Sequence, residues 1–240
     1  MLWLYLHAPF AACRTFAAGW YRPTAGFLTP SAAYGLLLNI AGVESRLREG
    51  EEGHDGRVPT TLTRPDLPRC RIALGLPVGM EPPMVQSIYQ QLHNYPVGRD
   101  AGLPPELAKG SKNNITPVRR ELLAGVSAII ALEQLDDGDL EDRIVRGLRG
   151  ELNAGRYGLP FVGDNSFLPD RLELRGGPLP ARWYERVEAA ADVPHSDLTR
   201  LTIGIDRADM SRTRSALFAP SELPGNEPSE RAWAEVGPVR

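Results

Sequence analysis

Leu2-Trp3-Leu4-Tyr5-Leu6-His7 alternates without a break, so Leu2, Leu4 and Leu6 share one face of a strand and Trp3, Tyr5 and His7 the other. The remaining elements are ordered against this strand. Residues 8–30 lose all periodicity and pass through Pro9, Gly19, Pro23, Gly26 and Pro30, a long loop that carries Arg14 and Arg22. Ordered loops of this length are usually functional. Thr29-Pro30 then reads as a helix N-cap followed by proline at the first helical position. Ala33, Leu36, Leu37 and Ile40 recur at helical spacing before Gly42 closes the helix. Cys70 to Val78 predicts a second strand, with Ile72, Leu74 and Leu76 on one face. Leu122 to Leu132 predicts a third, apolar on both faces and therefore central. Leu140, Ile144, Val145 and Leu148 mark a second helix, with Asp136, Asp137 and Asp139 supplying capping carboxylates. Arg171-Leu-Glu-Leu-Arg175 is the fourth strand.

The order up to residue 175 is βαββαβ, which predicts an α+β fold of ferredoxin-like or RRM topology, with helices on one sheet face and the other left for a partner. Two segments stand outside this core. Residues 81–118 hold no persistent core-forming period and read as an excursion, with a short helix expected over Met84 to Leu92. Residues 176–240, beyond a boundary at Gly176-Gly177, contain an alternating Leu201, Ile203, Ile205 strand and a Pro/Glu-rich tail from Pro220, and are expected to form a small β-containing second unit.

At 240 residues, 42% hydrophobic and 24% charged, the chain has the composition of a globular protein with a sizeable core. Its longest apolar runs fall far short of the roughly 20 residues of a bilayer helix, and no signal-peptide pattern is present, so a cytoplasmic protein with no membrane partner is expected. Cys13 and Cys70 and the four scattered histidines fit neither a disulfide framework nor a metal site, and no cofactor is expected.

The net charge of −3 is unevenly spread. Residues 1–120 hold thirteen basic against nine acidic residues, a net +4, whereas residues 121–240 hold fourteen against twenty-one, a net −7. The positive half ends in Lys109-Gly-Ser-Lys112-Asn113-Asn114-Ile-Thr-Pro-Val-Arg119-Arg120, where four cations and two amides stand with no carboxylate between Glu106 and Glu121. Cations for a phosphate backbone and amides for sugar or base edges are what a nucleic-acid-tracking hairpin needs, although a solvated loop has the same composition. Gly155-Arg156-Tyr157-Gly-Leu-Pro-Phe-Val-Gly163 either lets main-chain N–H groups approach a phosphate or makes a tight helix-to-strand connection. Trp3, Tyr5 and His7 are expected to pack beneath the second unit, because the facing Leu122 to Leu132 strand offers no aromatic residue to complete a base-stacking platform. For catalysis, His93 with Tyr89, Tyr95 and Lys112 would suit a metal-free ribonuclease, but their spacing gives no support.

Several of these residues resemble one family. Leu4-Tyr-Leu-His-Ala-Pro9, the Arg14 loop, Thr29-Pro30-Ser31 with Gly35-Leu-Leu-Leu-Asn-Ile-Ala-Gly42, and Asn113 to Arg120 leading into a hydrophobic strand resemble the "Cas-five" subunit of type I CRISPR interference complexes. His93-Asn-Tyr-Pro and Asn114-Ile-Thr-Pro-Val-Arg-Arg-Glu-Leu are similar to its DevS-like branch in type I-B systems, and Tyr157 to Gly163 resembles the family's glycine-rich loop. The resemblance, which spans about the first 175 residues, implies a non-catalytic RNA-binding subunit on a ferredoxin-like RAMP fold. Such a subunit caps the 5′ handle of the CRISPR RNA and touches the first backbone subunit and the large subunit of Cascade, and a contact with target DNA beside its flanking motif stays open. Residues 81–118 would be the family's thumb, with RNA contacts expected from Arg14, Arg22, Lys109, Lys112, Asn113, Asn114, Arg119, Arg120, Arg156 and Tyr157. The alternative is a metal-independent endoribonuclease that processes precursor CRISPR RNA. One branch of the family does this with Tyr, Lys and His, and the sequence carries no clear Lys-His pair in the thumb.

Overall fold

A computed structural model describes residues 1–15, 20–47, 62–93, 115–153, 156, 158–188, 194 and 197–238. In chain order its elements are β1 (Leu2–Ala11), β2 (Tyr21–Arg22), α1 (Pro30–Ile40), β3 (Cys70–Pro77), β4 (Met84–His93), β5 (Ile115–Gln134), α2 (Leu140–Leu148), β6 (Arg171–Arg175), β7 (Ala181–Arg186), β8 (Thr199–Gly204), β9 (Arg214–Pro220) and β10 (Ala234–Val236). The fold is an α+β arrangement dominated by antiparallel sheet. Strands β6, β1, β5 and β3 lie side by side with every neighbouring pair antiparallel, and α1 and α2 connect β1 to β3 and β5 to β6. From β3 the sheet continues through β7 and β9 to β8, while β10 pairs with the start of β3. No helix among the described residues is long and apolar enough to cross a membrane.

The alternation of β1 divides the core as its sequence requires. Leu4, Leu6 and Ala8 join Leu36, Leu37 and Ile40 of α1, Leu140 and Ile144 of α2, and Ile72, Leu74, Ile130 and Leu132 of the neighbouring strands. On the opposite face Trp3 meets Trp183 edge to face, with centroids 6.1 Å apart, and Ala73, Ile129, Ala131 and Trp233 complete that smaller cluster. Trp3 is therefore packing, and β5 is covered on both faces at this level. The turn at Gly176-Gly177 leads directly into β7, and Tyr184, Leu201, Ile203, Phe218, Ala234 and Val236 from beyond it belong to the main core.

Local signals set the helix ends unequally. Thr29 Oγ1 accepts from the Ala32 N–H at 3.2 Å, and Pro30 opens α1. The expected carboxylate cap of α2 is absent: Asp139 occupies the N-cap position without a side-chain bond. Asp136 instead accepts from the Arg69 N–H at 2.7 Å and from Gln134 Nε2 at 2.8 Å, because it tethers the end of β5 to the start of β3. The two helices meet closely. A Cβ at Gly147 would lie 1.9 Å from the Ile40 carbonyl oxygen, and Arg143 donates to the Ala41 and Gly42 carbonyls at 3.0 and 3.1 Å, satisfying orphan acceptors at the end of α1.

The expected helix over Met84 to Leu92 is a strand. β4 pairs antiparallel with the outer half of β5 from Met84 opposite Ala124 to His93 opposite Ile115. Its near-continuous exposure explains why no amphipathic period marks it, and the ladder to β5 overrides the weak local preference. Gly125, at φ +70°, sits where β5 changes phase: Val126 and Leu123 both reach the main core, which a strict alternation forbids. Beyond it, β4 and β5 extend as a ribbon, with β2 parallel along the other edge of β5 at Arg119 and Arg120.

Gly147→Ala forces a methyl into the Ile40 carbonyl, and an overpacked contact of this kind typically costs about 1–3 kcal/mol. Urea unfolding should show this loss through a lowered midpoint. Gly125→Ala, which meets no atom within 4 Å and is strained only by its φ, should cost about 1 kcal/mol.

Candidate nucleic-acid interface

Two adjacent arginines of β5 point to opposite faces of the ribbon and have different surroundings. Arg119 stands opposite Tyr89 of β4 and Tyr21 of β2, so the three side chains form a row across three strands. The Arg119 guanidinium lies 5.2 Å from the Tyr21 ring centroid and donates to Ser87 Oγ at 3.2 Å. Its backbone N–H donates to the Trp20 carbonyl at 2.8 Å. Tyr89 is 76% exposed and Trp20 62%, so the row presents aromatic faces and a cation to solvent. Glu121 fixes one end: it accepts from the Tyr21 hydroxyl at 2.5 Å and from the Thr24 N–H at 3.2 Å. The bond to Glu121, then desolvation and the Glu121 charge, push the Tyr21 phenol above its ordinary pKa.

Arg120 faces the other way and is 7% exposed. Its NH2 group lies 2.6 Å from Asp164 Oδ2, and its guanidinium stands 5.3 Å from the Phe167 ring centroid. The same Asp164 oxygen receives Arg14 NH2 at 2.7 Å, and Asp164 Oδ1 accepts from the Ser166 N–H at 3.0 Å. One carboxylate thus ties together the loop after β1, the ribbon, and the segment after the glycine-rich loop. Burial alone would raise the Asp164 pKa, but the bonds from Arg120 and Ser166 and the Arg120 charge outweigh it and hold the carboxyl below its ordinary value.

Gly158 and Gly163 have two different roles. Gly163, at φ +75°, abuts the loop after β1 so closely that a Cβ would lie 2.5 Å from the Ala12 carbonyl oxygen. Its close approach is to protein backbone. Gly158, at φ +73°, faces open space. Arg156 is exposed, yet its guanidinium donates to the Gly147 carbonyl and so closes the end of α2.

Of the residues expected to contact RNA, the structure brings Arg22, Arg119 and Arg120 onto the ribbon and Arg14 beside it. Arg14 is half exposed, Arg22 partly so, and Arg120 is withdrawn from any phosphate because it is buried against Asp164 and Phe167. Lys109, Lys112, Asn113, Asn114 and Tyr157 lie outside the described residues, as does Tyr95. His93 ends β4, four residues beyond Tyr89. Sequence reasoning missed Asp164, whose Gly163-Asp164-Asn165-Ser166 setting reads as a turn, and Tyr21, whose strand is only two residues long. Burial raises the Cys13 and Cys70 thiols to about 11 and about 12, which removes them as nucleophiles at neutral pH.

A chain of a "CRISPR RNA-guided surveillance complex" superimposes on this one with a TM-score of 0.51 at 16% identity, covering 96% of this chain and 95% of that chain. The likeness is one of fold. A second structure, described as "Crystal structure of Cas protein", aligns at a TM-score of 0.39 and 15% identity over 94% of this chain and 99% of that one, too low to support an argument. No family model and no curated protein matches the sequence.

Removing one partner of a buried ion pair leaves the other charge uncompensated, at a typical cost of about 3–5 kcal/mol. Asp164→Ala, which leaves the buried Arg120 without a carboxylate, should therefore lower unfolding stability by about 3 kcal/mol in a urea titration. Arg119→Ala, on the solvent face, should lower it by less than about 1 kcal/mol.

Proposed function

We propose that this chain is a non-catalytic subunit of a type I CRISPR Cascade complex that binds and caps the 5′ handle of the CRISPR RNA. In this reading β1, α1, β3, β5, α2 and β6 are a ferredoxin-like RAMP domain, and the β4–β5 ribbon is the base of its thumb. The observation that carries the proposal is the Tyr21–Arg119–Tyr89 row, exposed on a ribbon that projects from a fold shared with a surveillance-complex chain. Aromatic faces stack on unpaired bases whatever their identity, and a guanidinium between them pairs with the linking phosphate. A flexible handle is suited to such a row, whereas a regular duplex keeps its bases inside.

The sequence resemblance adds the type I-B assignment and the partners: the first backbone subunit, the large subunit and, beside its flanking motif, the target DNA. The positive first half of the chain suits the RNA, and the acidic second half suits protein contacts. A cytoplasmic location follows from that role.

The test is copurification with tagged backbone and large subunits and their guide RNA. Arg119→Ala combined with Tyr89→Ala should reduce guide RNA recovered per complex at least severalfold while the circular dichroism spectrum of the isolated chain stays unchanged. Equal recovery would sink the proposal. Incubation of the pure chain with repeat RNA in a metal chelator addresses catalysis: the RNA should stay intact, and specific cleavage lost on His93→Ala would overturn the non-catalytic assignment.

A further inference from the structure

Two guanidinium groups share one oxygen of Asp164, and they are not equivalent. The Arg120 side chain is 9% exposed and Asp164 7%, while the Arg14 side chain is 48% exposed at almost the same distance, 2.7 against 2.6 Å. The cluster carries two positive charges against one negative, so a net charge of +1 is left at its open end. Arg14 forms that end. Its loop is held in place independently of its side chain, because the Ala12 N–H donates to the Val162 carbonyl at 3.3 Å and the Ala25 N–H to the Cys13 carbonyl at 2.8 Å. The guanidinium can therefore change partners without unfolding the loop, and Asp164 stays compensated by Arg120 when it does.

We propose that Asp164 tempers the RNA affinity of the chain: its carboxylate masks Arg14 in the free protein and yields it to an RNA phosphodiester. A carboxylate and a phosphate present similar acceptor oxygens to a guanidinium, so the exchange replaces one charge-assisted bond by another. An RNA whose phosphate is placed beside Arg14 by its other contacts draws the guanidinium off Asp164, whereas an RNA that offers a weaker acceptor leaves it there. Removing the mask returns to the first RNA the cost of breaking the Arg14–Asp164 bond and gives the second an Arg14 contact it could not otherwise make. Both must then bind more tightly. This inference rests on the proposed RNA-binding function and adds to it the residue that sets how much Arg14 contributes.

The experiment measures binding of the full chain to the guide RNA recovered from its complex and to oligouridylate of equal length, each over a series of salt concentrations. Asp164→Asn should bind oligouridylate about tenfold more tightly than the native chain, a change of about 1.4 kcal/mol. Its log–log salt slope should steepen by about 0.7, one single-strand phosphate contact. The guide RNA should gain at least as much, with its slope unchanged. In an Arg14→Gln background the same Asp164→Asn change should leave oligouridylate binding unaltered. Asp164→Asn that keeps its circular dichroism spectrum without gaining oligouridylate affinity overturns the proposal, as does a gain that persists without Arg14. Should Asp164→Asn fail to fold, Arg14→Gln alone decides: it should weaken guide RNA binding and flatten its salt slope by about 0.7, and an unchanged slope overturns the mask. A native chain that binds guide RNA no better than oligouridylate removes the proposed function itself, and the masking device with it.

Discussion

Each of the strands β1 to β4 pairs with β5. A strand of 20 residues is far longer than the usual five or six, and only its inner half is covered on both faces. Its backbone donors and acceptors still need partners along the whole length, and they find them in β1 and β3 at one end and in β4 and β2 at the other. The ribbon that projects from the core is a consequence of that requirement. Gly125 makes it possible, since a positive φ at this point shifts the alternation and lets the strand leave the core with Leu123 still buried.

Beyond Gly125, the two-residue period decides chemistry. Arg119 and Arg120 are identical and adjacent, but one reaches solvent between two tyrosines and the other is buried against Asp164 and Phe167. A guanidinium that leaves water needs a carboxylate in place of its hydration, and the low-dielectric setting makes that pairing strong and its loss costly. The same pair anchors the glycine-rich segment to the ribbon. The grip on a ligand and the stability of the fold are thereby carried by neighbouring residues on opposite faces.

The unit beyond residue 177 is bound up with this arrangement. Trp183 and Trp233 cover the sheet face carrying Trp3, and Leu201, Ile203 and Phe218 close the core around α1. Of the face that the β1 alternation left open, Trp3 is lost to packing and His7 is held by Asp170 at 2.7 Å. The aromatic surface available to a ligand lies on the ribbon instead.

Much of the core was legible in the sequence because burial writes itself as a period. The Thr29-capped helix, the strand from Cys70, the second helix and Arg171 to Arg175 appear in the structure with bounds close to those expected, whereas β1 runs on to Ala11 and β5 begins at Ile115, seven residues before the expected Leu122. β4 was illegible for the converse reason: a strand exposed on both faces has no period to read, and its identity comes from its pairing with β5. The sequence by itself determined the order of the elements and the cluster of cations before Leu122, since both are properties of neighbouring residues. Which of those cations stays free was decided only by the tertiary structure. Asp164 lies 44 positions from Arg120 and 150 from Arg14 in the sequence, and a charge so distant along the chain becomes a partner only when the fold brings it within bonding distance.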